Sequence, residues 1–103
     1  MATDEIFGPI ASVIPFDTEE EAIALANSSI YGLSGSIWTN DVGQALRTAR
    51  ALESGTLSVN SNSSIRIQTP YGGFKQSGIG RGLGQAAIEA YTELKTVFVR
   101  TEP

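Results

Sequence analysis

The stretch SGSIWTNDVGQALRTARALESGTLSVN, residues 34 to 60, constrains the fold more than any other part of the chain. Val42, Ala45, Leu46, Ala49 and Leu52 recur at spacings of three and four, the period of one helix face. On either side, SGSIWT (34 to 39) and TLSVN (56 to 60) read as strands. Asn40 stands where a helix cap belongs, and Glu53, Ser54 and Gly55 end the helix in the glycine manner. Strand and helix also alternate upstream. ASVIPF (11 to 16) is an apolar run rich in β-branched residues, and DTEEEAIALAN follows it. There Thr18 and Glu21 fit a capping box, and Glu19, Glu20 and Glu21 suit the positive end of a helix dipole. The helix starts at about Glu19, turns Ala22, Ile23 and Ala26 to one side, and stops at Asn27. Alternation on short connections predicts the α/β class: two right-handed βαβ crossovers forming a three-stranded parallel sheet.

With 103 residues the chain holds one compact unit at most. Its 41% hydrophobic and 17% charged residues are ordinary for a folded soluble chain. The net charge is −4, and Asp17, Glu19, Glu20 and Glu21 cluster, so no basic footprint exists for nucleic acid. Apolar runs fall far short of the roughly 20 residues that cross a bilayer, and the first residues lack a signal-peptide pattern, so a cytoplasmic location is expected. The sequence contains neither cysteine nor histidine. Disulfides, the usual zinc sets, a cysteine nucleophile and a histidine base are therefore excluded within these residues, and neither catalytic nor metal-ligating residues are expected.

Residues 61 to 84 are too rich in glycine, serine and turn formers for a long regular element and read as an extended, ordered loop. Its glycines do not make a phosphate cradle. Lys75 follows Phe74 and precedes Gln76, which breaks the Walker pattern, and a dinucleotide fingerprint begun at Gly78 or Gly80 finds Leu83 or Gln85 in its last glycine place. Tight turns against other protein surface are the alternative. After Gly84 a last helix presents Ala87, Ala90, Tyr91 and Leu94 on one side, and TVFVR (96 to 100) closes as a strand whose partner the pattern leaves undetermined. Such an apolar strand is a template for another sheet edge.

Glu5 and Phe7 lie two residues apart on one side of an extended segment, just before Gly8-Pro9 turns the chain. Surface acid plus core phenylalanine is the plain reading. The functional one gives the carboxylate to sugar hydroxyls and the ring to a flat heterocycle. Trp38, on a strand, reads as core. Glu89 with Glu93, and Arg47 with Arg50, read as solvated faces.

EIFGPI, YGLSGSIWT, GTLSVN, TPYGGFKQSGIGRGLG and AYTELKTVFVR together resemble, in order and spacing, the C-terminal fifth or so of the NAD(P)-dependent aldehyde dehydrogenase superfamily. The resemblance covers essentially the whole chain. It implies the end of a catalytic α/β domain over residues 1–95 and an oligomerisation strand with its tail over 96–103. It also implies an NAD or NADP cofactor, and an upstream cysteine and glutamate that carry the chemistry. By the same resemblance Glu5 holds the nicotinamide ribose and Phe7 packs by the nicotinamide ring. Ile65 and Tyr71 line the substrate entrance, where the family often has aromatics, and isoleucine departs from that. Arg81 and Glu93 organise the subunit interface, with Thr96, Val97, Phe98 and Val99 as the interface strand. Where the family commonly reads GRELG this chain reads GRGLG, so Gly82 removes a carboxylate.

Two functions are thus expected. In the first, the chain is a C-terminal fragment that supplies cofactor contacts and an entrance wall for aldehyde oxidation but is inactive alone. In the second, it is an assembly module that adds its strand to itself or to a partner. A free-standing nucleotide binder is a third, weaker alternative, because no Rossmann half is present.

Overall fold

The first helix begins where side chains can satisfy its free amides. The computed structural model describes residues 3–102, and α1 spans Glu19–Asn27. Thr18, extended at φ −130 and ψ 159, accepts from the Glu21 amide at 3.1 Å. The Glu21 carboxylate reaches past Thr18 to the Asp17 amide at 2.9 Å, so the expected capping box closes one residue further back.

Four short strands and a second helix follow: β1 (Tyr31–Gly32), β2 (Ser34–Ile37), α2 (Val42–Ala51), β3 (Thr56–Val59) and β4 (Phe74–Lys75). Parallel pairing joins β2 to β3 from Ser34↔Thr56 to Ile37↔Val59, with α2 as the crossover. Antiparallel pairing joins β1 to β4 through Tyr31↔Lys75 and Gly32↔Phe74. The parallel ladder stops at Asn60. Its side-chain amide accepts from the Thr39 amide at 3.0 Å and donates to the Thr39 carbonyl at 2.9 Å, replacing the next backbone pair.

The cap of α2 is Asp41, one residue after the expected Asn40. Its carboxylate accepts from the amides of Gly43 at 2.7 Å and Gln44 at 3.1 Å. The Gln44 bond first, then the Gly43 bond, holds the Asp41 pKa below its ordinary 3.8, since both favour the charged form. At its other end α2 finishes on Leu52 in an extended conformation, without a glycine. Gly55 serves a different purpose. Its amide donates to the Gly32 carbonyl at 3.0 Å, and a Cβ there would lie 1.9 Å from the Gly72 carbonyl oxygen. Only a residue without a side chain lets the strand entrance and the glycine-rich loop approach so closely.

Three sequence expectations meet a different outcome. The sheet has two parallel strands rather than three, because residues 11–16 run extended with no strand beside them among the described residues. Nor does any described residue of 96–100 enter a ladder, and α3 spans only Ala87–Ala90. That helix has no side-chain cap bond, and Tyr91 and Leu94 are exposed beyond it. A single turn with neither cap nor buried face has little to extend it. Residues 1, 2 and 103 of the expected division at 95 and 96 lie outside the described residues.

The molecule is also not compact. Its radius of gyration is 19.5 Å, against about 13 Å for a globular chain of this length. Ala45, 2% exposed, is the one hydrophobic residue fully buried among those described. It lies in α2, and around it Ile23, Ile37, Leu52 and Leu57 are half-buried, while most other large apolar side chains are exposed. Trp38, expected in the core, is 67% exposed on the rim of a groove of about 310 Å³ between α1, α2 and β2, with Phe16, Ile23 and Leu52. No helix among the described residues is long and apolar enough to cross a membrane.

Candidate functional site

A cleft of about 510 Å³ opens where the N-terminal segment passes the β1–β4 pair, lined by Glu5, Ser29, Tyr31, Leu33, Gln76 and Ser77 among others. Hydrogen bonds between distant stretches of the chain shape part of its wall. Gln76 donates its amide to the Ile30 carbonyl at 3.0 Å, and the Ser77 hydroxyl accepts from the Gly32 amide at 2.9 Å. Glu5 is exposed on this cleft, and its carboxylate oxygens can accept from hydroxyl donors. Phe7, 94% exposed, does not line it.

Tyr71 and Gly82 exchange two backbone hydrogen bonds, of 2.7 and 2.8 Å, which close the glycine-rich loop into a narrow hairpin. At its base Gly84 sits at φ +62, and a Cβ there would come within 2.9 Å of the Pro70 nitrogen. Gly82, by contrast, has open space where a side chain would stand. The missing carboxylate at 82 is therefore a change of chemistry that backbone geometry does not force. Arg81 turns back on its own loop, donating to the Gly73 carbonyl at 2.9 Å and the Gly80 carbonyl at 2.8 Å, with its guanidinium 5.6 Å from the Phe74 ring centre.

The sequence-derived site residues are thus not all brought together. Glu5 has its cleft. Tyr71 and Arg81 are fixed by the hairpin, and exposed Ile65 lies in the preceding loop, its carbonyl held by Arg66 at 2.8 Å. Glu93 makes no ion pair with Arg81 among the described residues, and Thr96, Val97, Phe98 and Val99 are exposed.

Sequence reasoning missed Lys75. Its ammonium donates to the Asn27 carbonyl at 2.7 Å and the Ser29 carbonyl at 3.0 Å, and meets the Glu53 carboxylate at 2.5 Å. Glu53 is half exposed, so the ion pair contributes at most about 1 kcal/mol. Bonds from a charged donor run to about 1.5–3 kcal/mol each, so the two carbonyl contacts carry the larger share. A cation is also favoured where α1 leaves its last carbonyls unpaired. No spacing rule links positions 48 residues apart. The one hint was a long cation set among glycines.

Comparison with known proteins extends this picture. The model of the aldehyde dehydrogenase family matches residues 1–97. A betaine aldehyde dehydrogenase of Rhizobium leguminosarum is 50% identical over the whole chain, which spans 21% of that protein. A 4-trimethylaminobutyraldehyde dehydrogenase of Oryzias latipes is 49% identical over 95% of the chain and 19% of its own length. The crystal structure of a double mutant of Staphylococcus aureus betaine aldehyde dehydrogenase, in complex with NAD+, superposes with a TM-score of 0.90 at 46% identity. That match covers 98% of this chain and 20% of the other. The chain therefore spans about a fifth of the length of the relatives it matches.

Proposed function

The chain belongs to the aldehyde dehydrogenase family, and on that premise we propose that it forms the C-terminal part of an enzyme oxidising an aldehyde to an acid with NAD(P)+. The observation that carries this is the superposition of nearly the whole chain on an NAD+-bound relative at 46% identity. The open apolar faces support it. Val13, Trp38, Val97 and Phe98 are all more than two-thirds exposed, a surface that a larger enzyme covers.

In this reading residues 1–95 complete the catalytic domain, where 11–16 gains its neighbouring strand, and 96–103 adds to an oligomerisation sheet. Glu5 accepts hydrogen bonds from ribose hydroxyls in its cleft, and Phe7 packs by the nicotinamide. The cofactor, when bound, takes up a hydride. The cleft fits that role, with the Glu5 carboxylate, Ser29, Gln76 and Ser77 all lining it. Ile65 and Tyr71 shape the substrate entrance and exclude water from it. Arg81 and Glu93 support the subunit interface beside it. A thiolate nucleophile and a carboxylate base come from elsewhere in the enzyme, since this sequence has no cysteine.

In the complete enzyme, Glu5→Ala is expected to raise the KM for NAD(P)+ about tenfold with a smaller change in kcat, as loss of a binding contact does. Betaine aldehyde leads the substrate panel, given the names of the relatives. An unchanged cofactor KM would overturn the assignment of Glu5, and rapid aldehyde turnover by these 103 residues alone would overturn the division of labour.

A second reading, assembly by strand addition without catalysis, is favoured by the exposed 97–99 run.

A further inference from the structure

Lys75 sits at φ +52, in the left-handed region that a side chain makes costly and glycine adopts freely. Four glycines lie within five residues of it, at 72, 73, 78 and 80, yet this position carries the long cation. What the side chain does there is specific. An ammonium has three protons, and all three have acceptors: the carbonyls of Asn27 and Ser29 and the carboxylate of Glu53. These acceptors belong to one connected unit. The Asn27 side chain donates to the Ala51 carbonyl at 2.9 Å and accepts from the Glu53 amide at 2.8 Å, tying the C-terminal end of α1 to that of α2.

Three wall residues of the Glu5 cleft lie directly on this unit. Ser29 supplies a carbonyl to the ammonium, and Gln76 and Ser77 follow Lys75 in the chain. The wall's own bonds, Gln76 to Ile30 and Gly32 to Ser77, bracket the same place. A residue that holds its backbone against its own conformational preference, with every donor committed to two helix ends, fixes where that wall stands. We propose that Lys75 is a positioning residue: it anchors the glycine-rich loop to the joined ends of α1 and α2 and thereby sets the part of the cleft wall formed by Ser29, Gln76 and Ser77, in the cleft that Glu5 also lines. The cofactor consequence rests on the function proposed above. The anchoring itself does not.

Two readouts on the full-length polypeptide carrying this chain test the two parts separately. In Lys75→Met, amide hydrogen exchange across residues 29–33 and 74–78 is expected to quicken about tenfold, as local opening loses its latch. The KM for NAD(P)+ should rise about fivefold with kcat within about twofold, and Lys75→Arg should recover most of both. Lys75→Gly relieves the backbone but removes the ammonium, so its exchange should resemble that of Lys75→Met. If glycine protects these amides as well as lysine does, or if Lys75→Met exchanges within about twofold of the parent, the anchor is overturned. Faster exchange with an unmoved cofactor KM overturns the positioning role if Glu5→Ala does raise that KM. If Glu5→Ala leaves it unmoved too, the assignment of the cleft fails and the anchor stands. Should Lys75→Met not fold, Glu53→Gln decides through the same amides, with about a threefold increase expected and no increase counting against the anchor.

Discussion

Residues 70–84 contain six glycines and residues 96–100 contain none, yet the first stretch is tied down and the second enters no ladder among the described residues. Propensity alone would reverse that order, since TVFVR is built of strand formers and PYGGFKQSGIGRGLG is not. Accounting for backbone groups explains it. The loop closes on itself through Tyr71 and Gly82, on β1 through β4, and on both helix ends through Lys75. The C-terminal run has donors, acceptors and apolar side chains but no neighbouring strand to meet them. A strand is half of an interaction, whereas a glycine-rich turn can supply both halves itself.

The sharpest way to break this contrast is at the close approach of the loop to β3. Gly55→Ala forces a methyl into the Gly72 carbonyl and should cost about 3 kcal/mol. Gly80→Ala, where nothing lies within 4 Å, should stay within about 0.5 kcal/mol. Urea unfolding of the two variants compares them directly, and equal losses would mean that the loop is not held against the strand. A smaller loss, about 1 kcal/mol, is expected for Thr18→Ala, which removes the cap of α1 without touching the loop.

A pH response is expected outside both stretches, at the start of α2. Asp41 has a lower pKa folded than unfolded, so its contribution is complete above the unfolded value near 3.8 and is lost as pH falls through the folded one. Far-UV circular dichroism should show α2 weakening over that acid range. Asp41→Asn, which can still accept from Gly43 and Gln44, should flatten the dependence, and an unaltered acid profile would point to other carboxylates. The smallest effect on stability is expected in the C-terminal run outside any ladder. Val97→Pro should change unfolding by less than about 0.5 kcal/mol, because the residue is exposed and outside any ladder. The same variant should abolish any self-association seen by light scattering. Association that survives it would place the contact elsewhere and remove the support for strand addition through 96–100.

Reading the sequence found both main helices to within a residue or two, the β2–β3 pair, and the family. It misjudged Trp38, whose aromatic ring on a strand suggests a core that the described chain does not close. It placed Glu5 beside hydroxyl chemistry without seeing the cleft, because Ser29, Tyr31, Gln76 and Ser77 reach that cleft from two distant stretches. Asn27 and Glu53 read only as helix ends, and no pattern linked either of them to Lys75.

What the sequence determined by itself is whatever is written within about four residues: the Thr18 cap, the apolar period of α2, and the absence of any thiol or imidazole. Only the tertiary structure decided that a lysine would join two helix ends to a loop, that Gly55 and Gly72 would touch, and that two apolar runs would enter no ladder among the described residues. Local hydrogen bonding and helical period fix geometry between near neighbours along the chain. Contacts across 17 to 48 residues depend on where the intervening elements pack.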